Sequence, residues 1–173
     1  MDMVLHRRDL LKALTAAAFT TLQLPAAEPN APLFFTKKEF ALLDALTNLI
    51  VPTDEHSPGA HEAGVAEYID RSVAEAFLPE EKTSWRKGLA SIDEKSRLMY
   101  HSAFLDSSKE QQVGLLKEIA AAEEHPKTEP EKFFTQLKQT TAFAYYSSSI
   151  GIHQEMEYKG NVLLEQFVGY DAT

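Results

Sequence analysis

The fold class is indicated first by the stretch Phe35-Thr36-Lys37-Lys38-Glu39-Phe40. Thr36 and Glu39 have the spacing of a capping box, in which each side chain accepts a hydrogen bond from the backbone N–H of the other residue. Phe35 and Phe40 occupy the two positions of a hydrophobic staple across that cap. Apolar residues then recur at helical spacing as far as Pro52, and a residue before proline avoids helical backbone angles. The stretch therefore predicts a first helix that ends just before Pro52.

Four further segments carry helix signals. The second helix is predicted over about residues 61–77, and Pro79 suits the first position of a third, where a proline loses no helical hydrogen bond. A capping box from Ser107 to Glu110 predicts the start of the fourth helix, and Pro130 predicts that of the fifth. The residues predicted to face inward are, in chain order, Val65, Ile69, Val73 and Phe77; Trp85, Leu89, Ile92 and Met99; Val113, Leu116 and Ile119; Phe133, Leu137, Thr140 or Thr141, and Ala144.

These patterns predict an all-α body, a compact bundle of about five helices over residues 36–151. We expect the first, second and fifth helices to form its core, and Gly88 to permit close approach of a neighbouring element. Residues 28–35 contain prolines and are predicted to be a linker. Residues 152–173 lack a helical period and are predicted to be an irregular, extended C-terminal arm.

Residues 1–27 have the layout of an export signal: a basic pair, then a weakly apolar run rich in Ala and Thr. The paired arginines favour the twin-arginine route, which carries folded proteins across the membrane. A chance arginine pair, or an amphipathic N-terminal helix with a similar pattern, is the alternative. We expect the twin-arginine translocase as a partner, and a body in the periplasm or on the outer face of the cytoplasmic membrane. The residues that carry this signal are Arg7, Arg8, Leu10, Leu11 and Lys12.

Charge and cysteine content restrict the possible functions. The chain has 173 residues, with 17 basic and 26 acidic side chains and no cysteine. Residues 1–27 hold three of the basic and two of the acidic residues, which leaves 14 basic and 24 acidic, a net charge of −10. Such a body repels nucleic acid, so nucleic acid is not an expected partner. Without cysteine the chain cannot hold a thioether-linked haem, a cysteine-ligated iron–sulfur cluster or a thiol nucleophile.

One cluster of polar residues could carry chemistry. Asp54, His56, His61 and Glu62, with Glu55 among them, offer oxygen and nitrogen ligands of the kind that metals use. Their spacing matches no compact metal motif, and the chain has neither a glycine-rich phosphate loop nor a Gly-x-Ser-x-Gly motif. We therefore predict no catalytic, cofactor-binding or metal-binding residue in this chain. A metal-dependent hydrolase that uses the four named residues is the alternative.

The end of the fifth helix and the arm carry apolar side chains with no obvious place in a five-helix core. Adjacent tyrosines cannot both face inward, tyrosine is frequent at interfaces, and exposed apolar patches mark partner surfaces. We therefore predict a partner interface here. The alternative is that the arm folds back and completes the core. The predicted interface residues are Tyr145, Tyr146, Ile150, Tyr158 and Phe167.

Several short motifs also occur in a characteristic order after the twin-arginine segment. They are Leu49-Ile50-Val51-Pro52-Thr53-Asp54, Pro58-Gly59-Ala60, Ala63-Gly64-Val65-Ala66-Glu67-Tyr68-Ile69-Asp70, Arg86-Lys87-Gly88-Leu89, Phe133-Phe134, Tyr145-Tyr146-Ser147-Ser148-Ser149-Ile150-Gly151 and Glu157-Tyr158-Lys159-Gly160-Asn161. In this order and spacing the chain resembles the gluconate 2-dehydrogenase subunit 3 family over nearly its whole length.

The resemblance implies a non-catalytic small subunit. In that family the large subunit is a flavoprotein of the glucose–methanol–choline type that holds FAD and oxidises a sugar or sugar acid, often passing electrons to a c-type cytochrome. The large subunit commonly lacks an export signal of its own and is exported by means of the twin-arginine signal of the small subunit. We therefore expect this chain to bind, stabilise and co-export such a dehydrogenase, with a transient export chaperone as a further alternative. This chain lacks the cysteines of some relatives, and Ala144 stands where many are expected to have glycine.

Overall fold

The computed structural model of the chain describes residues 31–160. It contains five helices of more than two turns: α1 Lys37–Ile50, α2 Val65–Glu75, α3 Pro79–Tyr100, α4 Lys109–Ala120 and α5 Glu129–Tyr146. A short 3-10 turn, Phe104–Asp106, joins α3 to α4, and a π-helical turn, Gly151–Glu155, follows α5. No β-strand occurs in residues 31–160, and the predicted all-α five-helix body is confirmed. The predicted export signal lies outside the described residues, as does the arm beyond Gly160.

The first helix begins as its local sequence predicts. The Thr36 hydroxyl accepts a hydrogen bond from the Glu39 amide at 3.2 Å, and the Glu39 carboxylate accepts one from the Thr36 amide at 2.8 Å. This capping box satisfies two amides that the first turn of α1 would otherwise leave without a partner. Pro79 is also confirmed at the start of α3.

Two predicted helix starts are wrong by a few residues. The second helix begins at Val65 because Gly64 takes a left-handed conformation (φ 68°) and residues 61–64 form a turn. The fourth is capped by Ser108 with Gln111, one residue later than predicted. Ser107 is buried instead and donates a hydrogen bond to the carbonyl oxygen of Ala103 at 3.0 Å. The left-handed Gly64 thus sets the start of α2, and the burial of Ser107 against Ala103 leaves Ser108 to cap α4.

The core contains side chains from all five helices, with α3 packed along α5 more extensively than any other pair. The first, second and fifth helices, which we expect to form the core, do contribute to it, but the third and fourth belong to it as well. The ring of Phe133 lies directly on Gly88 of α3, where an added Cβ would be 1.9 Å from Phe133 Cδ2. Trp85 meets the same ring edge to face, with centroids 5.5 Å apart. The close approach predicted at Gly88 is what lets α3 and α5 come together.

Some predicted inward positions face solvent. Phe77, which is predicted to face inward, lies just beyond α2 and is 94% exposed. On α4 the outward-facing residue is Val113, while Leu115 is buried in its place. The apolar residues of this helix are too numerous for a single stripe, so spacing alone does not select the inward set.

The start of the arm is helical where an extended chain was predicted. Backbone hydrogen bonds of helical type continue beyond α5. Ile152 N–H donates to the Ser148 carbonyl and Met156 N–H to the Gly151 carbonyl, both at 2.9 Å. Gly151 permits this because an added Cβ there would lie 2.1 Å from the Tyr145 carbonyl oxygen. Among the described helices, none is long and apolar enough to cross a membrane.

Candidate partner-binding surface

The loop from residue 51 to residue 64 holds the polar cluster that the sequence offers for chemistry. One oxygen of Asp54 accepts hydrogen bonds from the amides of His56 at 2.8 Å and Ser57 at 2.9 Å. These bonds, that from Ser57 first, lower the pKa of Asp54 because they stabilise its ionised form. Asp54 therefore acts as the cap of a tight turn, a common use of aspartate in loops.

Glu62 and His61 are held by other neighbours. Glu62 accepts a hydrogen bond from the Thr53 hydroxyl at 3.0 Å, and its pKa is lowered, chiefly by its own backbone amide and then by Thr53. The Nδ1 atom of His61 lies 2.9 Å from both carboxylate oxygens of Asp44 on α1, and this hydrogen bond raises the pKa of His61. Each side chain points to a different partner. Within the described part of the chain, no group of three or more such residues could hold a metal ion.

Tyr145 is buried inside this chain, at 2% exposure, so its prediction as a surface interface residue is wrong. Its hydroxyl donates to the Pro58 carbonyl oxygen at 2.7 Å. Since that hydrogen is used, the Ser57 hydroxyl, also 2.7 Å away, donates to the Tyr145 oxygen. The residue thus ties the last turn of α5 to the loop after α1. Sequence spacing cannot show this contact, because the partners are 87 and 88 residues apart.

The other predicted interface residues have different environments. Tyr146 and Tyr158 are 46% and 47% exposed, while Ile150 is half-buried against the core. Phe167 lies outside the described residues. The interface itself remains a prediction, and Tyr146 and Tyr158 are the two of these residues that present large side chains on the described surface.

Tyr146 belongs to an exposed aromatic patch. It consists of Tyr68 of α2 and Phe143 and Tyr146 of α5; the first two rings have centroids 6.3 Å apart, and the last two are one helical turn apart. A hollow of about 380 Å³ adjoins the patch, lined in part by Arg71 and by Ser147 to Ser149. Sequence reasoning missed Tyr68, although its position off the Val65–Ile69–Val73 stripe was a usable signal.

A second feature that sequence reasoning missed fastens the N-terminal end of the body. The buried carboxylate of Asp70 accepts hydrogen bonds from the amides of Leu33, Phe34 and Phe35, with the last two at 3.0 and 2.9 Å. Arg86 donates to the Phe34 carbonyl at 2.9 Å, and its guanidinium lies 4.5 Å from the centroid of the Phe34 ring. The predicted linker, residues 28–35, is therefore bound to α2 and α3 at its C-terminal end.

Residues 37–162 match the family model of gluconate 2-dehydrogenase subunit 3, a range that includes all five helices. No curated protein and no solved structure matches the chain.

Proposed function

We infer the function of this chain from its family, since the chain belongs to the gluconate 2-dehydrogenase subunit 3 family. We propose that it is the non-catalytic small subunit of a dehydrogenase that oxidises a sugar or sugar acid. In this proposal it binds and stabilises a large subunit of the glucose–methanol–choline type, and that subunit holds the FAD. A c-type cytochrome subunit that accepts the electrons is a further partner in the proposal.

The observation that carries the proposal is the family match over the whole described bundle. Two features of the structure support it. The polar residues Asp54, His61 and Glu62 are engaged in holding their own loop, and exposed aromatic rings lie together on the surface formed by α2 and α5. Aromatic side chains are enriched in the central parts of protein interfaces, where they contribute large contact areas.

Export is the second part of the proposal. We propose that the signal with Arg7 and Arg8 carries both subunits through the twin-arginine translocase to the periplasm or the outer membrane face. The Asp70 carboxylate of α2 holds residues 33–35, so the folded body begins only a few residues after the proposed signal. The large subunit would then travel as a folded passenger of this chain.

Co-expression tests both parts. The tagged full chain is produced with a glucose–methanol–choline type flavoprotein that lacks a signal, and the periplasmic fraction is purified. We expect a stable complex with the flavin absorbance and the dehydrogenase activity. The double change Arg7→Lys with Arg8→Lys should leave both subunits in the cytoplasm. Unchanged periplasmic activity in this variant would contradict co-export.

The same preparation separates this function from its alternatives. The chain purified alone should carry neither flavin nor dehydrogenase or hydrolase turnover, and turnover by the chain alone would contradict a non-catalytic role. A complex that forms in the cytoplasm but is absent from the periplasm would identify a transient export chaperone. A complex that persists there and retains activity is the outcome that we expect.

A further inference from the structure

An apolar groove lies on a face of the bundle where α1, α4 and α5 meet. Its volume is about 260 Å³. Its lining consists of six apolar side chains and two lysines, Lys117 and Lys138. Three of the apolar residues, Val113, Leu116 and Ala120, come from α4, and the others come from the end of α1 and the first half of α5.

The α4 residues that line the groove lie on one side of the helix. Val113, Leu116, Lys117 and Ala120 follow the spacing i, i+3, i+4, i+7, which places them on one side of the helix. Val113 is 36% exposed, although it is an aliphatic residue in the middle of α4. On α5, Phe134 and Lys138 are one turn apart and form the opposite wall. A concave apolar strip between helices is the type of surface that receives the apolar side of an amphipathic helix.

The charges around the groove indicate what kind of helix fits. None of the lining residues is acidic, and both charged ones are lysines. This is a local exception, because residues 28–173 carry 24 acidic against 14 basic side chains. Lys138 is bound to Glu123 at 2.7 Å, whereas the described residues include no ion pair for Lys117. A partner with carboxylates beside its apolar residues would complement this border.

We propose that this groove docks an amphipathic helix of the dehydrogenase large subunit, with apolar side chains in the groove and an Asp or Glu side chain beside Lys117. The inference rests on the proposed function and names a binding site for the same partner. The groove residues Val113 and Lys117 lie on α4, whereas the aromatic patch lies on α2 and α5. The two surfaces can therefore be tested by separate substitutions.

The binding test uses the full chain and the flavoprotein of the co-expression experiment. Val113→Asp introduces a carboxylate into the apolar contact and should raise the Kd of the complex about tenfold or more. Lys117→Glu should raise it several-fold, and this loss should shrink as salt is added, because salt screens exposed charges. The matched controls are Leu98→Asp, at an apolar α3 position that is 75% exposed, and Lys132→Glu on α5. Both controls should leave the Kd unchanged.

The outcomes distinguish the groove from the function. A wild-type chain that binds no flavoprotein contradicts the proposed function itself. A wild-type chain that binds it, with both groove variants binding equally well, overturns only the groove inference. Purified alone, Lys117→Glu should melt like the wild-type chain because Lys117 is exposed, and Val113→Asp should melt only slightly earlier because Val113 is 36% exposed. An early melt of both variants would show that the chain itself fills the groove and would also overturn the inference.

A photo-crosslinking amino acid in place of Val113 identifies the occupant directly. Irradiation of the purified complex should join this position to a peptide of the large subunit, identified by mass spectrometry. A crosslink to residues 161–173 of the same chain would mean that the chain's own C-terminal segment occupies the groove. A crosslink to a second copy of the chain would mean a homodimer contact. Either of the last two results would overturn the inference.

Discussion

The hydroxyl of Tyr145 donates a hydrogen bond to the carbonyl oxygen of Pro58 at 2.7 Å, across 87 residues of chain. The bond connects the last turn of α5 with the loop that separates α1 from α2. The Ser57 hydroxyl completes the contact from the loop side. Because the C-terminal arm begins only a few residues after Tyr145, this contact fixes the position from which the arm departs.

Replacing Tyr145 by Phe should destabilise the bundle. The ring would stay in place, but the part-buried Pro58 carbonyl and the buried Ser57 hydroxyl would lose the Tyr145 hydroxyl and keep only their mutual contact at 3.3 Å, at a cost of about 1 kcal/mol in the free energy of unfolding. Tyr146→Phe is the control, because that side chain is 46% exposed and should change stability by no more than ~0.5 kcal/mol. Urea unfolding of the two variants measures the difference. Equal stabilities would mean that the Tyr145 hydroxyl contributes nothing.

Asp70→Asn should loosen the N-terminal end of the body. Three amides point at the Asp70 carboxylate, and an asparagine would turn an N–H₂ group toward at least one of them. We expect a loss of about 1–3 kcal/mol and faster hydrogen exchange at residues 33–35. Glu75→Gln on the exposed side of the same helix is the control. Unchanged exchange at residues 33–35 in Asp70→Asn would contradict the anchoring role.

The pair His61 and Asp44 predicts a pH-dependent contribution to stability. The pKa of His61 is raised above its ordinary value of 6.5, chiefly by the hydrogen bond to Asp44. A group whose pKa is higher in the folded state stabilises fully below its unfolded pKa, and the effect is lost as pH rises through the folded pKa.

The difference in stability between wild type and Asp44→Asn should therefore be largest below about pH 6.5 and should fall at higher pH. Thermal melts across this range measure it. Because the His61 side chain is 62% exposed, the effect should be small and should weaken in salt. A difference that grows with rising pH would contradict the assignment.

Deleting Glu155 to Thr173 should separate folding from partner binding. In the described part of this segment, Met156 and Tyr158 are about half exposed and lie beyond the helical bundle. The truncated chain should therefore melt close to wild type by circular dichroism but should no longer co-purify with the flavoprotein.

Tyr158→Ala and Phe167→Ala should also weaken binding of the flavoprotein, but less than the deletion does, because each removes only one side chain. A large interface side chain can contribute about 2 kcal/mol or more to binding. A much earlier melt of the truncated chain alone would show that the arm completes the core. The interface prediction for the arm would then be wrong.

Local sequence was sufficient to predict where the first and third helices begin. The Thr36–Glu39 capping box and the proline at position 79 act over one helical turn, so their effect can be predicted without knowing the rest of the structure. The contact at Gly88 is a long-range feature that the sequence nevertheless indicated in part. A glycine inside a long helix costs stability unless something packs on it, which made a close neighbour predictable although not its identity as Phe133.

On helices with apolar residues on more than one side, spacing did not predict which of these residues are buried. On α4 the choice between Val113 and Leu115 depends on how α1 and α5 sit against that helix. On α5, Phe143 faces solvent while Tyr145 is buried, although phenylalanine is the more apolar residue. Tyr145 can be buried because the Pro58 carbonyl and the Ser57 hydroxyl satisfy its hydroxyl group.

The sequence by itself determined the all-α class, the five helices and the family, because helix caps, apolar periodicity and motif order are properties of neighbouring residues. Only the tertiary structure decided which surfaces are free. Asp70 is a charged residue in an amphipathic helix, yet it is buried, and three amides more than 30 residues away donate hydrogen bonds to it. Tyr145 is internal and Val113 is at the surface for the same reason. Burial depends on contacts between residues far apart in the chain, and a one-dimensional pattern does not contain them.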